Sequence, residues 1–212
     1  MSLKLRLSLP GKILISALLI GAMASCEKPG QNRRQDAPSL LSIERWPGEG
    51  VPVLAWQGSG DSLEVYPRPE TADTVRSAAV KVGRIAVTAG QKLLWDRSVI
   101  LVEKPGQMEI VEDCIIAGFV YDAPDDGQLK GGRARQIYFS CGTILEVICY
   151  AAEGFYIFRH DGEYIEMDAG HRCQQMLAEP QTQWWVRITR DGSPAGWVPV
   201  DGTAVAVVER RF

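Results

Sequence analysis

From Val51 to the C-terminus the chain is written in short β-branched and aromatic runs, each stopped by Gly, Pro or Asp. This punctuation constrains the fold more than any other feature, because runs of that length ended by turn formers are strands. VPVLAWQ (51–57) ends at Gly58-Ser59-Gly60, SLEVY (62–66) at Pro67, and AVKVGRIAVTA (79–89) at Gly90. KLLWDRSVILVE (92–103) ends at Pro105-Gly106, and QMEIVEDCIIAGFVY (107–121) at Asp122. The polar stretch DAPDDGQLKGGR (122–133) follows, and it is the best place for a domain boundary or a long loop. The pattern then resumes with QIYFS (136–140), TILEVICY (143–150), FYIFRH (155–160) and EYIEMD (163–168), the last two joined by Asp161-Gly162, a tight hairpin signal. After a loop containing Pro and Gln come WWVRITR (184–190), AGWVPV (195–200) and TAVAVVERRF (203–212). No segment holds a period of 3.6 over three turns, so the expected class is all-β, a barrel or sandwich architecture.

The N-terminus has a different grammar. Lys4, Arg6 and Lys12 supply positive charge, no acid precedes Glu27, and the apolar run ILISALLIGAM (13–23) is too short to span a bilayer. It ends in Met23-Ala24-Ser25-Cys26. Small residues fit a narrow protease cleft, and the cysteine after them offers a thiol for acylation, so this stretch resembles the bacterial lipobox. The resemblance implies a lipoprotein signal peptide over residues 1–25, cleavage before Cys26, and attachment to a membrane through lipid on Cys26. Met23 stands where Leu is commoner. Glu27 differs from the Asp that resembles an inner-membrane retention signal, which favours the outer membrane, facing the periplasm. Residues 26–45, polar and interrupted by Pro and Gly, read as a flexible tether.

Cleavage would remove three of the 23 basic residues and none of the 26 acids, leaving an acidic chain with no electrostatic footprint for nucleic acid. Beyond Cys26 lie Cys114, Cys141, Cys149 and Cys173. An even count in an oxidising compartment reads as two disulfides, although sequence alone does not choose among the three pairings. Cys149 and Cys173 flank the hairpin 155–168, so a bridge between them, with Cys114 joined to Cys141, is the expected arrangement.

The stretch WWVRITRDGSPAGWVPVDGTAVAVV (184–208) resembles bacterial SH3-like domains, which close with a strand opening on Trp, a tight turn, a Gly-Trp-Val strand and a short final strand. The segment 62–83 is similar to the opening of another such domain. The resemblance implies two small SH3-like barrels in tandem, over residues 46–130 and 131–212, as in SH3-like lipoproteins of the cell envelope. Alternation along 184–189 puts Trp184, Val186 and Ile188 on one face, expected to be core, and Trp185, Arg187 and Thr189 on the other. With Trp197 alongside, Trp185 and Arg187 would form an exposed ligand-binding patch of the aromatic and cationic composition found in hot spots.

Catalytic chemistry finds little support in the residues. The two histidines, His160 and His171, have no Cys-x-x-Cys or His-Glu-x-x-His spacing around them, so no metal is expected. Cys141 lies between two predicted strands rather than at a helix N-terminus that would activate its thiol. No Gly-x-Ser-x-Gly elbow or Gly-rich phosphate loop is present, so no cofactor is expected either. The expected function is therefore non-catalytic: a binding module for peptidoglycan, a peptide or another envelope protein. The alternative is a structural lipoprotein of an envelope complex.

Overall fold

The computed structural model describes residues 41–70, 83–124 and 127–212. Among these the chain is all-β, with no helix. Its strands are β1 (Leu41–Ile43), β2 (Val51–Trp56), β3 (Ser62–Val65), β4 (Gly83–Ala86), β5 (Lys92–Leu93), β6 (Trp95–Lys104), β7 (Gly106–Ile110) and β8 (Cys114–Tyr121). They continue as β9 (Arg133–Phe139), β10 (Ile144–Ala152), β11 (Phe155–His160), β12 (Glu163–Asp168), β13 (Gln174–Ala178), β14 (Gln181–Arg190), β15 (Ser193–Pro199) and β16 (Val205–Arg211). The signal peptide, Cys26 and the tether up to residue 40 lie outside the described residues.

The last five residues expected in the tether belong to the fold. β1 pairs antiparallel with β6, Leu41 opposite Val102 and Ile43 opposite Ile100, and Ile43 is buried. Leu41 and Ile43 are what recruit it: burying these side chains gains more than a solvated tether would.

Pairing does not follow the expected division into 46–130 and 131–212. That boundary falls in the connection between β8 and β9, which are antiparallel neighbours from Cys114 opposite Phe139 to Val120 opposite Arg133. A four-stranded sheet in the order β1-β6-β14-β15 combines strands from both expected halves, and so does a three-stranded sheet in the order β16-β2-β5. β7 to β13 form a seven-stranded sheet in the order β13-β7-β10-β11-β12-β8-β9. A two-stranded β3-β4 ribbon completes the set. The physical reason is burial on two faces. Ser98 to Val102 of β6 are buried without interruption, which only a strand flanked by neighbours and covered on both sides achieves.

The seven-stranded sheet curls, so that Met108 and Ile110 near one edge and Phe139 at the other share one core cluster. On its other face Ile148, Cys149, Ile157 and Tyr164 pack against Ile43, Ile100 and Val102 of the four-stranded sheet. A bulge in β10 between Val147 and Cys149 turns the following residues to this second cluster. The β11–β12 hairpin closes on Asp161 and Gly162, both at positive φ, as the Asp-Gly pair predicts.

Candidate functional site

The predicted patch on β14 and β15 is assembled in part. Arg187 lies directly opposite Trp197, with its guanidinium carbon 5.9 Å from the ring centroid. It also grips Asp96 with two hydrogen bonds, Nε to Oδ1 at 2.9 Å and Nη2 to Oδ2 at 2.6 Å. That fork holds the Asp96 carboxyl below the usual carboxylate range. Trp197 is half-buried.

Trp185 does not join an exposed patch. It is 0% exposed, packed among Tyr66, Val99 and Leu101 with Trp197 alongside, and its ring meets Tyr66 edge-on at 5.4 Å and 87°. Tyr66 reaches it because the chain leaving β3 crosses β15, where Tyr66 and Trp197 exchange backbone hydrogen bonds of 2.8 and 2.7 Å. Gly196 permits the crossing: its φ is +145°, and a Cβ there would stand 2.8 Å from Val65 Cβ and 3.1 Å from the Tyr66 carbonyl oxygen. Trp184 is half-buried against the other cluster with Val186 and Ile188, and its Nε1 donates to Ser98 Oγ at 2.6 Å. Alternation therefore separates the two faces of β14 as expected, but the face of Trp185, expected to be exposed, is covered, and Trp185 is the more deeply buried of the two rings. The signal lay in Trp184-Trp185-Val186, three consecutive large apolar residues rather than an alternation.

Beside this crossing β3 diverges from β15 and leaves a cleft of ≈ 600 Å³, a size suited to a small ligand or peptide segment. Trp56, Leu63 and Tyr66 supply its apolar surface, and Glu64, Arg84 and Asp201 its charge. Trp56 is fixed over the 57–61 loop: its Nε1 donates to the Gly60 carbonyl at 3.1 Å, and a Cβ on Gly58 would stand 2.2 Å from the ring. At the rim Arg84 pairs with Glu64 at 3.4 Å, both well exposed. Asp201 accepts the backbone N–H groups of Thr203 and Ala204 at 2.8 and 2.9 Å. Burial opposes the charge on Asp201, yet the bonds from Thr203, Ala204 and Val205 outweigh it and lower its pKa. Sequence reasoning missed this cleft, which depends on two strands separated by more than a hundred residues.

A second cleft, of ≈ 400 Å³, is lined by Glu44, Arg45, Tyr121, Gln128 and Glu166. Glu166 accepts from Arg45 Nη1 at 3.2 Å and from the Tyr121 hydroxyl at 2.8 Å. Burial, with the Glu166 hydrogen bond adding to it, pushes Tyr121 up to about 12. Glu44 in turn accepts two bonds from Arg97, both 2.9 Å. These groups satisfy one another, and the network clasps β1 and the 122–132 connection onto β12.

No disulfide joins the four cysteines of the described residues. Their places in the fold differ from those the expected pairing requires. The β10 bulge puts Cys149 in the cluster facing β6, whereas Cys173 belongs to the cluster on the opposite face. Cys114, expected to partner Cys141, packs on the same core cluster as Cys173. Cys141 is exposed, and its thiol donates to the Val111 carbonyl at 3.2 Å. His160 packs edge-on against Phe139 at 5.6 Å, and no cluster of three metal-capable side chains occurs among the described residues. Comparison of the chain with protein-family models, curated proteins and solved structures gives no match in any of the three.

Proposed function

We propose that this chain is a lipid-anchored, non-catalytic binding module of the bacterial cell envelope, held in the outer membrane through Cys26 and recognising a peptide-bearing ligand such as peptidoglycan. The anchor rests on the charged, apolar and small-residue succession that ends at Cys26. One observation carries the binding reading: the cleft of ≈ 600 Å³ walled by Trp56, Leu63 and Tyr66, with Arg84 and Glu64 at its rim. A preformed apolar concavity with a few charges at its mouth is the usual form of such a site. We assign the SH3-like character to one composite of β2 to β6 with β14 to β16, rather than to two consecutive halves. The supporting feature is the β14–β15 hairpin followed by β16, which returns to pair with β2.

The test uses the full chain in detergent and insoluble peptidoglycan. Retention that survives high salt, and that falls at least tenfold in an Arg84→Glu variant of normal melting temperature, supports the reading. No retention, or retention abolished by salt, overturns the peptidoglycan ligand. A second reading, an assembly lipoprotein of an envelope complex, is favoured by a different surface. Ile115, Phe119 and Tyr138 are 62%, 50% and 63% exposed on the outer face of the β8–β9 pair, and β9 is a sheet edge open to strand addition. A stable envelope complex that dissociates on Tyr138→Glu would favour it.

A further inference from the structure

The turn between β7 and β8, Val111 to Asp113, gathers three cysteines from three separate segments. Cys114 opens β8 immediately after it. Cys173, just before β13, lends its carbonyl to the Val111 N–H at 2.8 Å. Cys141, in the turn between β9 and β10, bonds to the same turn twice, through its N–H to Asp113 Oδ1 at 2.8 Å and through its thiol to the Val111 carbonyl at 3.2 Å. Of these three, Cys114 and Cys173 pack on one core cluster, which includes Ile110 and Phe139, whereas Cys141 is exposed.

We propose that Cys114 and Cys173 are a disulfide-forming pair that pins the 169–173 loop to the start of β8. The oxidant is a disulfide donor, either a small dithiol-derived molecule or a protein. One cysteine, as thiolate, attacks a donor sulfur and expels a donor thiolate, giving a mixed disulfide. The second thiolate then attacks the protein sulfur of that bond and expels the remaining donor thiolate. The protein loses two S–H bonds and two electrons and gains one S–S bond, while the donor disulfide takes up the electrons and is released as two thiols. Cys114 is partly exposed, so a donor can reach it. Cys149 is buried in the other cluster and takes no part.

The surroundings suit a structural crosslink rather than a redox catalyst. Burial, with the neighbouring Cys173 thiol adding to it, pushes the Cys114 thiol up to about 12, so its thiolate is scarce and exchange is slow. The bridge would close a loop of about 60 residues, long enough to restrict the unfolded chain substantially. It would also secure β13, an edge strand held on one side only, by β7.

The experiment takes the full chain in detergent, oxidises it with oxidised glutathione, alkylates the remaining thiols, and digests it without reduction. The expected product is a crosslinked species joining the Cys114 and Cys173 peptides, two hydrogens lighter than their sum, with Cys141 and Cys149 alkylated. The crosslink persists in Cys141→Ala. Reduction lowers the melting temperature of the oxidised protein by roughly 10 °C, and has no such effect on a Cys114→Ala/Cys173→Ala variant. A crosslink from Cys141 to either partner, or alkylation of both Cys114 and Cys173 after oxidation, overturns the proposal. The peptide map of the unmutated chain decides the matter even where a variant fails to fold, and it does not depend on the peptidoglycan reading.

Discussion

Replacing Trp185 by Ala tests the central claim about β14. Trp185 is fully buried, meets Tyr66 edge-on at 5.4 Å, and donates from Nε1 to Gln183 Oε1 at 3.0 Å. Truncation removes the ring's transfer energy, leaves a void beneath Tyr66 and Leu101, and forfeits the aromatic pair. Buried Trp→Ala changes cost about 3–5 kcal/mol, and the aromatic contact puts this one near the middle or above, about 4 kcal/mol. In a domain of this size that is a drop in melting temperature of roughly 8–16 °C. Trp184→Ala is the control. That ring is half-buried, and Ser98 Oγ keeps its own bond to the Arg45 carbonyl at 2.9 Å after the indole is gone. Its cost should be about 2 kcal/mol. Calorimetry or near-ultraviolet circular dichroism melts of the two variants, side by side, give the comparison. If Trp184→Ala destabilises as much as or more than Trp185→Ala, the strand is displaced by one residue and the two faces are exchanged.

Gly196→Ala should cost about 2 kcal/mol or more, because its Cβ would collide with Val65 and the Tyr66 carbonyl at a φ that L residues avoid; an unchanged denaturation midpoint would refute the crossing. Asp201 has a lowered pKa in the folded state, so its stabilisation is complete above the ordinary aspartate value of about 3.9 and is lost as pH falls through the folded value. Asp201→Asn should therefore flatten the decline in melting temperature between about pH 4 and pH 2, and an unaltered pH profile would contradict the assigned hydrogen bonds. Cys26→Ser should leave the chain unprocessed or soluble on fractionation, and membrane attachment that survives the change would end the lipoprotein reading.

Local signals carried further than long-range ones. The runs at 51–57, 62–66, 155–160 and 163–168 all contain strands, and 136–140 covers the second half of β9, since β-branched and aromatic residues between turn formers need no partner to be recognised. The run at 107–121 divides into β7 and β8 because Glu112 and Asp113 form a turn, and Asp113 ties that turn to Tyr138 and Cys141. β13 escaped notice because Gln174-Gln175 is polar at the sheet edge, where one neighbour and little burial suffice. Beyond the hairpins at Asp161-Gly162 and Asp191-Gly192, which strands pair was not legible. β6 with β14 and β2 with β16 depend on surfaces that meet only once the chain has folded back on itself. The face assignment on β14 followed from alternation alone, whereas the covering of Trp185 depends on Tyr66, more than a hundred residues away. The cleft beside Tyr66 was invisible for the same reason.

The chain leaves the framework at Lys104 and re-enters it opposite the same residue, at Gln181. Everything between them builds the seven-stranded sheet, whose own entry and exit strands, β7 and β13, run side by side. As the polypeptide emerges from the ribosome, the middle of the sequence can therefore finish folding while the outer portion waits. During that interval the hydrogen-bonding groups of β2 and β6 stand open, with Leu54, Val99 and Leu101 uncovered. Only the last thirty or so residues relieve this. A ribosome stalled or a protease cutting shortly before Gln181 would release a molecule with a finished centre and two adhesive edges, the kind of intermediate that holding chaperones act on.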